Sequence, residues 1–294
     1  MSTQQFGNSD TQRKLVLIEK YLSAYANALK NIHFRLTYAD VFAGTGSIEH
    51  RVDVKDAGFI DDETELLDAF SWGSAIRSLA VVPPFDSYLF ADKSNQKLDN
   101  LRRTILDMHP DLFQRCRFEA ADANEVLLRF CQTLDRNRDR VLVFLDPFGA
   151  QVEWATVKAL GATQVVDLWY LFPTMAVQRM LPHRGEVPNA WARRLTLLFG
   201  DDDWRDVYYK KKQSNDLFDG LTETTSRSAS IPLIHDHFRR KLEREFLGGV
   251  AKRTFPLISR NGTTMFLLFF AISNPKPAAR NLALRLANDI LKKA

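Results

Sequence analysis

Cysteine is scarce in this chain, and its pattern does not indicate a metal site. Cys116 and Cys131 are the only cysteines among 294 residues, and they form no CxxC pair. Two thiols are too few for a structural zinc site. The histidines do not cluster either, since His235 and His237 are two apart and would face different ways on a helix. We therefore expect no metal, and we expect reduced thiols, as is typical of a cytoplasmic protein.

Long hydrophobic segments are also lacking. The longest apolar run covers residues 265–272, whereas a helix that crosses a bilayer needs about 20 apolar residues. Residues 1–10 are polar and contain no hydrophobic stretch of the kind found in signal peptides. We therefore predict a cytoplasmic location and no membrane association.

Two well-known catalytic signatures are missing as well. No Gly-x-Ser-x-Gly sequence occurs, so a hydrolase triad has no support. Gly44 and Gly46 are followed by Ser-Ile-Glu-His, not by the Gly-Lys-Ser/Thr of a phosphate-binding loop. A dinucleotide fingerprint places an acid about 20 residues further on, but the next acid at a strand end, Asp92, lies much farther along. A nucleotide-dependent oxidoreductase therefore remains only a third hypothesis.

The composition is that of an ordinary globular protein. Hydrophobic residues make up 45% and charged residues 26%, with a formal net charge of +4 and a pI of about 9.0. This mild positive charge is compatible with nucleic acid but does not require it. The length permits one large domain or two smaller ones.

Strand-like and helix-like segments alternate along most of the chain, which predicts an α/β fold with a parallel sheet. Apolar runs predict strands at residues 36–43, 88–92, 117–122, 141–146 and 164–172. Spacings of three and four predict helices at residues 15–29, 66–82, 98–108, 125–133, 154–160, 233–246 and 280–290. Asn124 is a candidate cap for the fourth of these helices. Residues 47–62 are polar, and we interpret them as a hairpin excursion.

The carboxyl-terminal part departs from this alternation. Asn261-Gly262 predicts a β-hairpin between residues 253–259 and 264–272. Pro256 indicates that the first strand of this hairpin lies at a sheet edge. Residues 173–230 are rich in Trp, Tyr, Arg and Lys, and we predict a mostly helical insertion. We treat residues 1–294 as one domain that begins with an amino-terminal helix within residues 1–35.

Four predicted strands end in an acidic residue. Asp40, Asp92, Asp122 and Asp146 each follow a short apolar run. The carboxyl ends of parallel strands meet at one edge of the sheet, where ligands bind. A single aspartate after a strand is commonly a helix cap or a turn former, and that alternative stays open for each of them. Four in succession predict one ligand site built from several strands.

S-adenosylmethionine fits such a site because it carries an ammonium group, a sulfonium group and a ribose diol but no phosphate. Asp40 would hold the ammonium, Asp92 would accept both ribose hydroxyls, and Asp122 would receive the adenine amino group. Glycine lets the backbone of the first turn approach the ligand closely. The predicted cofactor-binding residues are Asp40, Phe42, Ala43, Gly44, Thr45, Gly46, Asp92, Lys93, Asp122 and Ala123.

The sequence Asp146-Pro147-Phe148-Gly149 is the predicted catalytic segment. It resembles the Asp/Asn-Pro-Pro-Tyr/Phe motif of amino methyltransferases, in which the acid and a backbone carbonyl orient the target nitrogen. Phe148 replaces the second proline of that motif, and Gly149 stands where the aromatic residue would be. The alternative is a plain Asp-Pro turn that closes the strand.

Taken together, the chain resembles the class I S-adenosylmethionine-dependent methyltransferases over most of its length outside the insertion. Five segments make it similar to the three-Cys-motif partner protein family, namely residues 40–46, 72–74, 90–92, 144–149 and 166–173. The resemblance implies a Rossmann-like, seven-stranded and mostly parallel sheet with an antiparallel last strand and helices on both faces. It also implies a partner, because bacterial members are paired with a separate protein that bears a three-cysteine motif.

The insertion bears on the substrate. Aromatic residues among basic ones suit single-stranded nucleic acid, RNA or DNA, although the sequence slightly favours a helical cap with buried aromatic side chains and solvated lysines. The residues concerned are Arg179, His183, Arg184, Trp191, Arg193, Arg194, Trp204, Tyr208, Tyr209 and Lys210–Lys212. The main hypothesis is a methyltransferase that acts on a base nitrogen of nucleic acid. The second is a non-catalytic, methyltransferase-like module that docks the partner protein.

Overall fold

The computed structural model describes residues 9–45, 73–216, 220–259 and 261–292, with only the backbone for residues 9–15 and 212–224. Within these residues, eight strands form one mostly parallel sheet. Its strands are β1 (Arg35–Asp40), β2 (Ser87–Asp92), β3 (Cys116–Ala120), β4 (Asp139–Leu145), β5 (Val166–Phe172), β8 (Gly249–Val250), β9 (Phe255–Ile258) and β10 (Thr264–Ile272). A separate hairpin consists of β6 (Tyr209–Asp216) and β7 (Gly220–Arg227).

The strand order is β3-β2-β1-β4-β5-β10-β8, and β9 pairs with the other half of β10. The first five strands pair in parallel, and β10 runs antiparallel beside β5. The order reverses between β1 and β4, which creates a crevice at the carboxyl ends of those strands. This is the predicted Rossmann-like methyltransferase fold, with eight strands where seven were expected. The extra strand, β8, is two residues long, too short to give a pattern in the sequence.

Helices cover both faces of the sheet. Their bounds are α1 (Ser9–Leu29), α2 (residues 73–79), α3 (Asn95–Met108), α4 (Ala123–Gln132), α5 (Trp154–Ala162), α6 (Thr174–Arg179), α7 (Asn189–Phe199), α8 (Trp204–Tyr208), α9 (Ile231–Glu245) and α10 (Pro277–Lys292). A 3₁₀ helix spans Pro110–Arg115. The core of one face contains side chains from α1, α2, α3 and α10, and the core of the other contains side chains from α4, α5, α7 and α9.

The sequence of β4 explains why it lies at the centre. Successive side chains of a strand point to opposite faces, and here Leu142 and Phe144 enter one core while Val141, Val143 and Leu145 enter the other. A strand that is covered on both faces needs apolar residues at every position. Residues 141–145 of β4 form an uninterrupted apolar run that meets that need.

The closing hairpin forms as the Asn-Gly turn predicts. β9 pairs antiparallel with β10, and Pro256 lies opposite Leu267 on the edge strand. Gly262 has a φ of 78°, a left-handed conformation that glycine adopts without strain.

The insertion contains a feature that the sequence analysis missed. Helices α6, α7 and α8 occupy its first part, but the β6–β7 hairpin forms its last part in place of a helix. The sequences of both strands are mostly polar, so no alternation of apolar residues marked them, although threonine is common in β7 and favours strands. Arg227 at the base of this hairpin donates from Nη1 to the carbonyls of Gln178 (3.2 Å) and Leu181 (2.9 Å). Gln178 Nε2 also donates to Ala229 O (3.4 Å), so the two ends of the insertion meet.

Candidate functional site

Three of the four predicted carboxylates surround the carboxyl end of β1. Asp40 lies opposite Phe90 of β2 and Phe144 of β4 in the sheet register. Asp92 and Asp146 each follow two residues later on those neighbouring strands. Strand residues two apart point to the same face and lie about 7 Å apart. The register therefore brings Asp92 and Asp146 to the same edge of the sheet, on either side of Asp40.

Asp40 is fully buried and anchors the glycine turn. Its Oδ1 accepts a hydrogen bond from Phe42 N (3.1 Å), and its Oδ2 accepts one from Ser74 Oγ (2.7 Å). Burial raises the pKa of Asp40 to about 6, even though the hydrogen bonds from Ser74 and Phe42 lower it. Both carboxylate oxygens of Asp40 thus accept hydrogen bonds from within the protein, and these bonds hold the turn in its conformation.

The turn after β1 places its backbone against β2. Ala43 N donates to Ala91 O (3.0 Å), and Gly44 has a φ of 62°, a conformation that favours glycine. Thr45 Oγ1 is buried and has no hydrogen-bond partner within the described residues. A buried hydroxyl without a partner is unfavourable, so a bound ligand would stabilise it. Gly46, the last residue of the predicted turn, lies outside the described residues.

Asp92 ends β2 and shapes the start of α3. Its Oδ1 accepts from Ser94 N (2.8 Å), and Ser94 Oγ in turn accepts from Lys97 N (3.3 Å) as the helix cap. Oδ2 of Asp92 has no hydrogen-bond partner in the described part of the chain. The Asp92 side chain is therefore partly committed to the turn through Oδ1.

Asp122 lies one strand further out and caps α4. Its Oδ1 accepts from Asn124 N (2.8 Å), and its Oδ2 forms an ion pair with Lys93 Nζ (2.8 Å). Partial burial opposes the charge, but Lys93 and the Asn124 amide together lower the pKa of Asp122. Asp122, not Asn124, is therefore the cap of α4, because its side chain reaches the free amide two residues ahead. Lys93 and Asp122 lie together, and Ala123 follows as the first residue of the helix.

Asn124 has a different function that the sequence did not reveal. It is buried, its Oδ1 accepts from Glu153 N and Thr156 Oγ1 (both 2.9 Å), and its Nδ2 donates to Gln151 O (3.1 Å). These bonds fasten the segment after Gly149 to α4. Asn124 therefore links the Asp122 turn to the predicted catalytic segment.

The predicted catalytic segment leaves β4 at the same edge. Asp146 and Pro147 are buried, whereas the Phe148 side chain is 52% exposed. Gly149 has a φ of 70°, which explains a glycine here and leaves Phe148 as the aromatic residue of the loop. The buried acid and the exposed ring thus lie two residues apart at the crevice.

Two further residues belong to this cluster, and the sequence analysis gave them no role. Ser74, at the start of α2, holds Asp40 across 34 residues of sequence. Tyr38 precedes Asp40 by two residues on β1. Burial raises the pKa of Tyr38 well above its usual range, and the charges of Asp40 and Asp146 raise it further. The only sequence signal for Tyr38 was its position two residues before the acid that ends the strand, which puts both side chains on the same face of the sheet.

The insertion exposes fewer aromatic side chains than its sequence suggested. Trp204 and Tyr208 are fully buried, while Trp191 is 42% exposed. Arg193 and Arg194 on α7 and Lys210 and Lys211 on β6 are exposed. The surface with the chemistry for nucleic acid is therefore smaller than predicted, and the buried aromatic residues form a cap instead.

A charged cluster fastens the insertion to α9. Lys241 is buried, and its Nζ donates to both carboxylate oxygens of Asp201 (2.9 and 2.8 Å) and to Oδ2 of Asp203 (2.9 Å). His237 Nε2 lies 3.2 Å from Asp203 Oδ1, and its Nδ1 is 2.9 Å from Tyr208 Oη. Asp201 and Asp203 therefore connect the insertion to α9 through Lys241 and His237.

Among the described residues, no group of three or more His, Cys, Asp or Glu side chains is arranged to hold a metal ion. None of the helices in the described ranges is long and apolar enough to cross a membrane.

No protein-family model and no curated protein matches the chain. Among solved structures, the Legionella pneumophila protein LPL1258 matches with a TM-score of 0.39 and 12% identity, over 82% of this chain and 94% of that one. The glycopeptide N-methyltransferase MtfA, complexed with S-adenosylmethionine, matches with a TM-score of 0.35 and 12% identity, over 86% and 93%. The magnesium protoporphyrin IX methyltransferase of Synechocystis matches with a TM-score of 0.31 and 12% identity, over 78% and 87%. Structural similarity at these TM-scores and identities does not assign an activity. The fold class is assigned from the strand order instead.

Proposed function

We propose that the carboxyl edge of this sheet binds S-adenosylmethionine and that the protein transfers the methyl group to an amino nitrogen of a nucleic-acid base. The observation that carries the proposal is the register that places Asp92 and Asp146 on either side of Asp40 and the glycine turn. The strand order puts this cluster at the reversal point, where ligands of such sheets bind.

The groups at this edge fit the cofactor in chemistry. Asp92 Oδ2 would accept the ribose hydroxyls, and the buried Thr45 hydroxyl and the turn at Gly44 would face the amino acid part. Asp122 would accept a hydrogen bond from the adenine amino group, next to the first backbone amides of α4. Its carboxylate would do so while it also pairs with Lys93. Asp40 would act through the turn, because its oxygens already accept from Phe42 and Ser74. Phe42, Ala43, Gly46 and Ala123 complete the proposed set.

Catalysis would depend on the Asp146 segment. The cofactor supplies an electrophilic methyl group. Asp146 would accept a hydrogen bond from the target amino group and so aim the nitrogen lone pair at that methyl, and the displaced proton would leave with the carboxylate or solvent. Phe148 would stack on the flat base, which its exposed ring permits. Pro147 and the left-handed Gly149 would fix the loop.

A nucleic-acid substrate is supported by Trp191, Arg193 and Arg194, which expose an aromatic ring and two cations on one helix. A partner with a three-cysteine motif follows from the family resemblance alone, and we include it in the proposal on that basis.

A second candidate function is a methyltransferase-like module that binds the cofactor or the partner without catalysis. The observation that favours it is the Phe-Gly sequence at 148–149 in place of the Pro-aromatic sequence of amino methyltransferases.

Calorimetry with S-adenosylmethionine tests the cofactor site. Asp92→Asn removes a charged acceptor, and loss of charge-assisted hydrogen bonds worth about 1.5–3 kcal/mol should weaken binding about 10- to 100-fold. Asp99→Asn is the matched control, since Asp99 lies on the surface of α3 and pairs with Arg102. Equal affinities for both variants would remove Asp92 from the site.

Methyl transfer from labelled cofactor to mixed RNA and DNA, with and without a three-cysteine protein, separates the two functions. Transfer that is lost in Asp146→Ala supports the enzyme. Cofactor binding without transfer under every condition supports the binding module.

A further inference from the structure

A cavity of about 280 Å³ lies at the amino edge of the sheet, opposite the carboxylate cluster. Here β4 and β5 begin and β10 ends, and the cavity opens between α1 and α10. Its walls are mainly hydrocarbon, and representative residues are Ala28, Leu29, Ile32, Leu282, Ala283 and Leu286. An apolar cavity with a few convergent polar groups is the usual form of a small-molecule site.

The size of the cavity limits its ligand. Small side chains at Ala28, Ala279 and Ala283 leave the space between the two helices. The remaining volume of about 280 Å³ opens between the two helices and is far larger than one water molecule needs. A hydrocarbon chain or a single ring with a short polar end is of this size.

Polar groups gather at the floor of the cavity. Asp167 of β5 lies opposite Leu142, two residues after Arg140 on β4, so both side chains are on the same face of the sheet. Asp167 is 5% exposed, and its Oδ2 accepts from Tyr21 Oη (3.0 Å). The Arg140 guanidinium stacks over Phe34 at 3.7 Å from the ring centroid, and its Nη1 donates to the carbonyls of Arg136 and Asp139.

The charges of the lining residues favour an anion. Arg140 and Lys276 are the basic residues of the lining, and Asp167 is its acid. A guanidinium group matches a carboxylate in geometry as well as in charge.

We propose that this cavity binds a small amphipathic carboxylate, with its hydrocarbon body between α1 and α10 and its carboxylate on Arg140. This site is separate from the cofactor site and does not depend on the function proposed there.

Asp167 makes the binding sensitive to pH. Burial raises the pKa of Asp167 to about 7, although the Tyr21 hydrogen bond and Arg140 lower it. The other titratable or charged groups around it are Tyr25 on α1, Asp139 beside Arg140 and Lys276 before α10. Protonated Asp167 no longer repels a carboxylate and can donate to it, so affinity should rise as the pH falls through 7.

Titration of the full chain with octanoate, octanol and octylamine at pH 6 and pH 8 tests the proposal. We expect octanoate to bind most tightly and more tightly at pH 6. Arg140→Gln should weaken octanoate at least about tenfold, as expected for the loss of a charge-assisted pair. Arg136→Gln is the control, because Arg136 is exposed and donates to Ala162 O (3.1 Å). Equal binding of octanoate and octanol, or tighter binding of octylamine, would overturn the proposal.

A second variant keeps the test decisive if Arg140→Gln does not fold. Ala279→Leu fills part of the cavity and leaves the charged groups in place, so octanoate binding should be lost while circular dichroism remains native. Undiminished binding in this variant would place octanoate elsewhere and refute the site.

Discussion

Asp167→Asn should remove a loss of stability that the wild-type protein shows as the pH rises from about 4 to about 7. The carboxyl group of Asp167 is buried beneath α1, and burial raises its pKa from an ordinary 3.8 to about 7. The folded state therefore holds a proton that the unfolded chain loses above pH 4. Between pH 4 and pH 7 the unfolded chain is ionised at this group while the folded state keeps its proton, so stability falls as the pH rises and levels off above about pH 7. Asparagine stays neutral and still offers Tyr21 an acceptor.

The size of the effect follows from the two pKa values. The difference between about 7 and 3.8 is about three units, which corresponds to roughly 4 kcal/mol at about 1.4 kcal/mol per unit. The free energy of unfolding of the variant, measured relative to wild type, should therefore rise by that amount between pH 4 and pH 8. Because only the change with pH is used, any constant effect of the amide cancels.

Urea denaturation at closely spaced pH values measures this difference. Asp107→Asn is the control, because Asp107 is exposed on α3 and its replacement should give a nearly constant difference from wild type. A constant difference for Asp167→Asn as well would refute the argument that burial opposes the ionisation of Asp167.

Two further predictions concern contacts that hold elements together. Ser74→Ala removes a hydrogen bond to the buried Asp40 carboxylate, so the pKa of Asp40 should rise above its value of about 6 by about one to two units. The pH range over which stability falls, measured by urea denaturation, should then extend to higher pH. Ser78→Ala is the control, because it loses only a hydrogen bond to a helix carbonyl and should leave this range unchanged. Identical pH profiles for the two variants would contradict the role of Ser74. Gly161→Ala places a methyl group 2.5 Å from the carbonyl oxygen of Glu245 in α9, so it should destabilise the protein by about 1–3 kcal/mol, although alanine normally stabilises a helix relative to glycine. A higher melting temperature would show that α5 and α9 tolerate a wider separation.

The sequence predicts most of the fold because the sheet has strong local signals. The apolar run of β4, the regular spacing in the helices and the Asn-Gly turn each indicate one element. Acids at successive strand ends also predict which edge carries the site, since parallel strands bring those ends together. These signals depend on neighbouring residues and on general rules of sheet topology.

The sequence does not predict the contacts that connect distant segments. Ser74 reaches Asp40 from another element, and Asn124 reaches residues 151–156 from α4. The sequence of the β6–β7 hairpin is mostly polar, so no periodic pattern indicates it. The cavity between α1 and α10 likewise arises from the packing of two segments at opposite ends of the chain.

The meeting of residues 178 and 229 has a consequence for how this chain varies. An inserted segment whose two ends lie side by side adds no strain to the elements that precede and follow it. Its length and sequence are then free to change between related chains while β5 and α9 keep their places. Recognition of different molecules by one unchanged sheet and its helices would therefore require changes to this inserted segment alone.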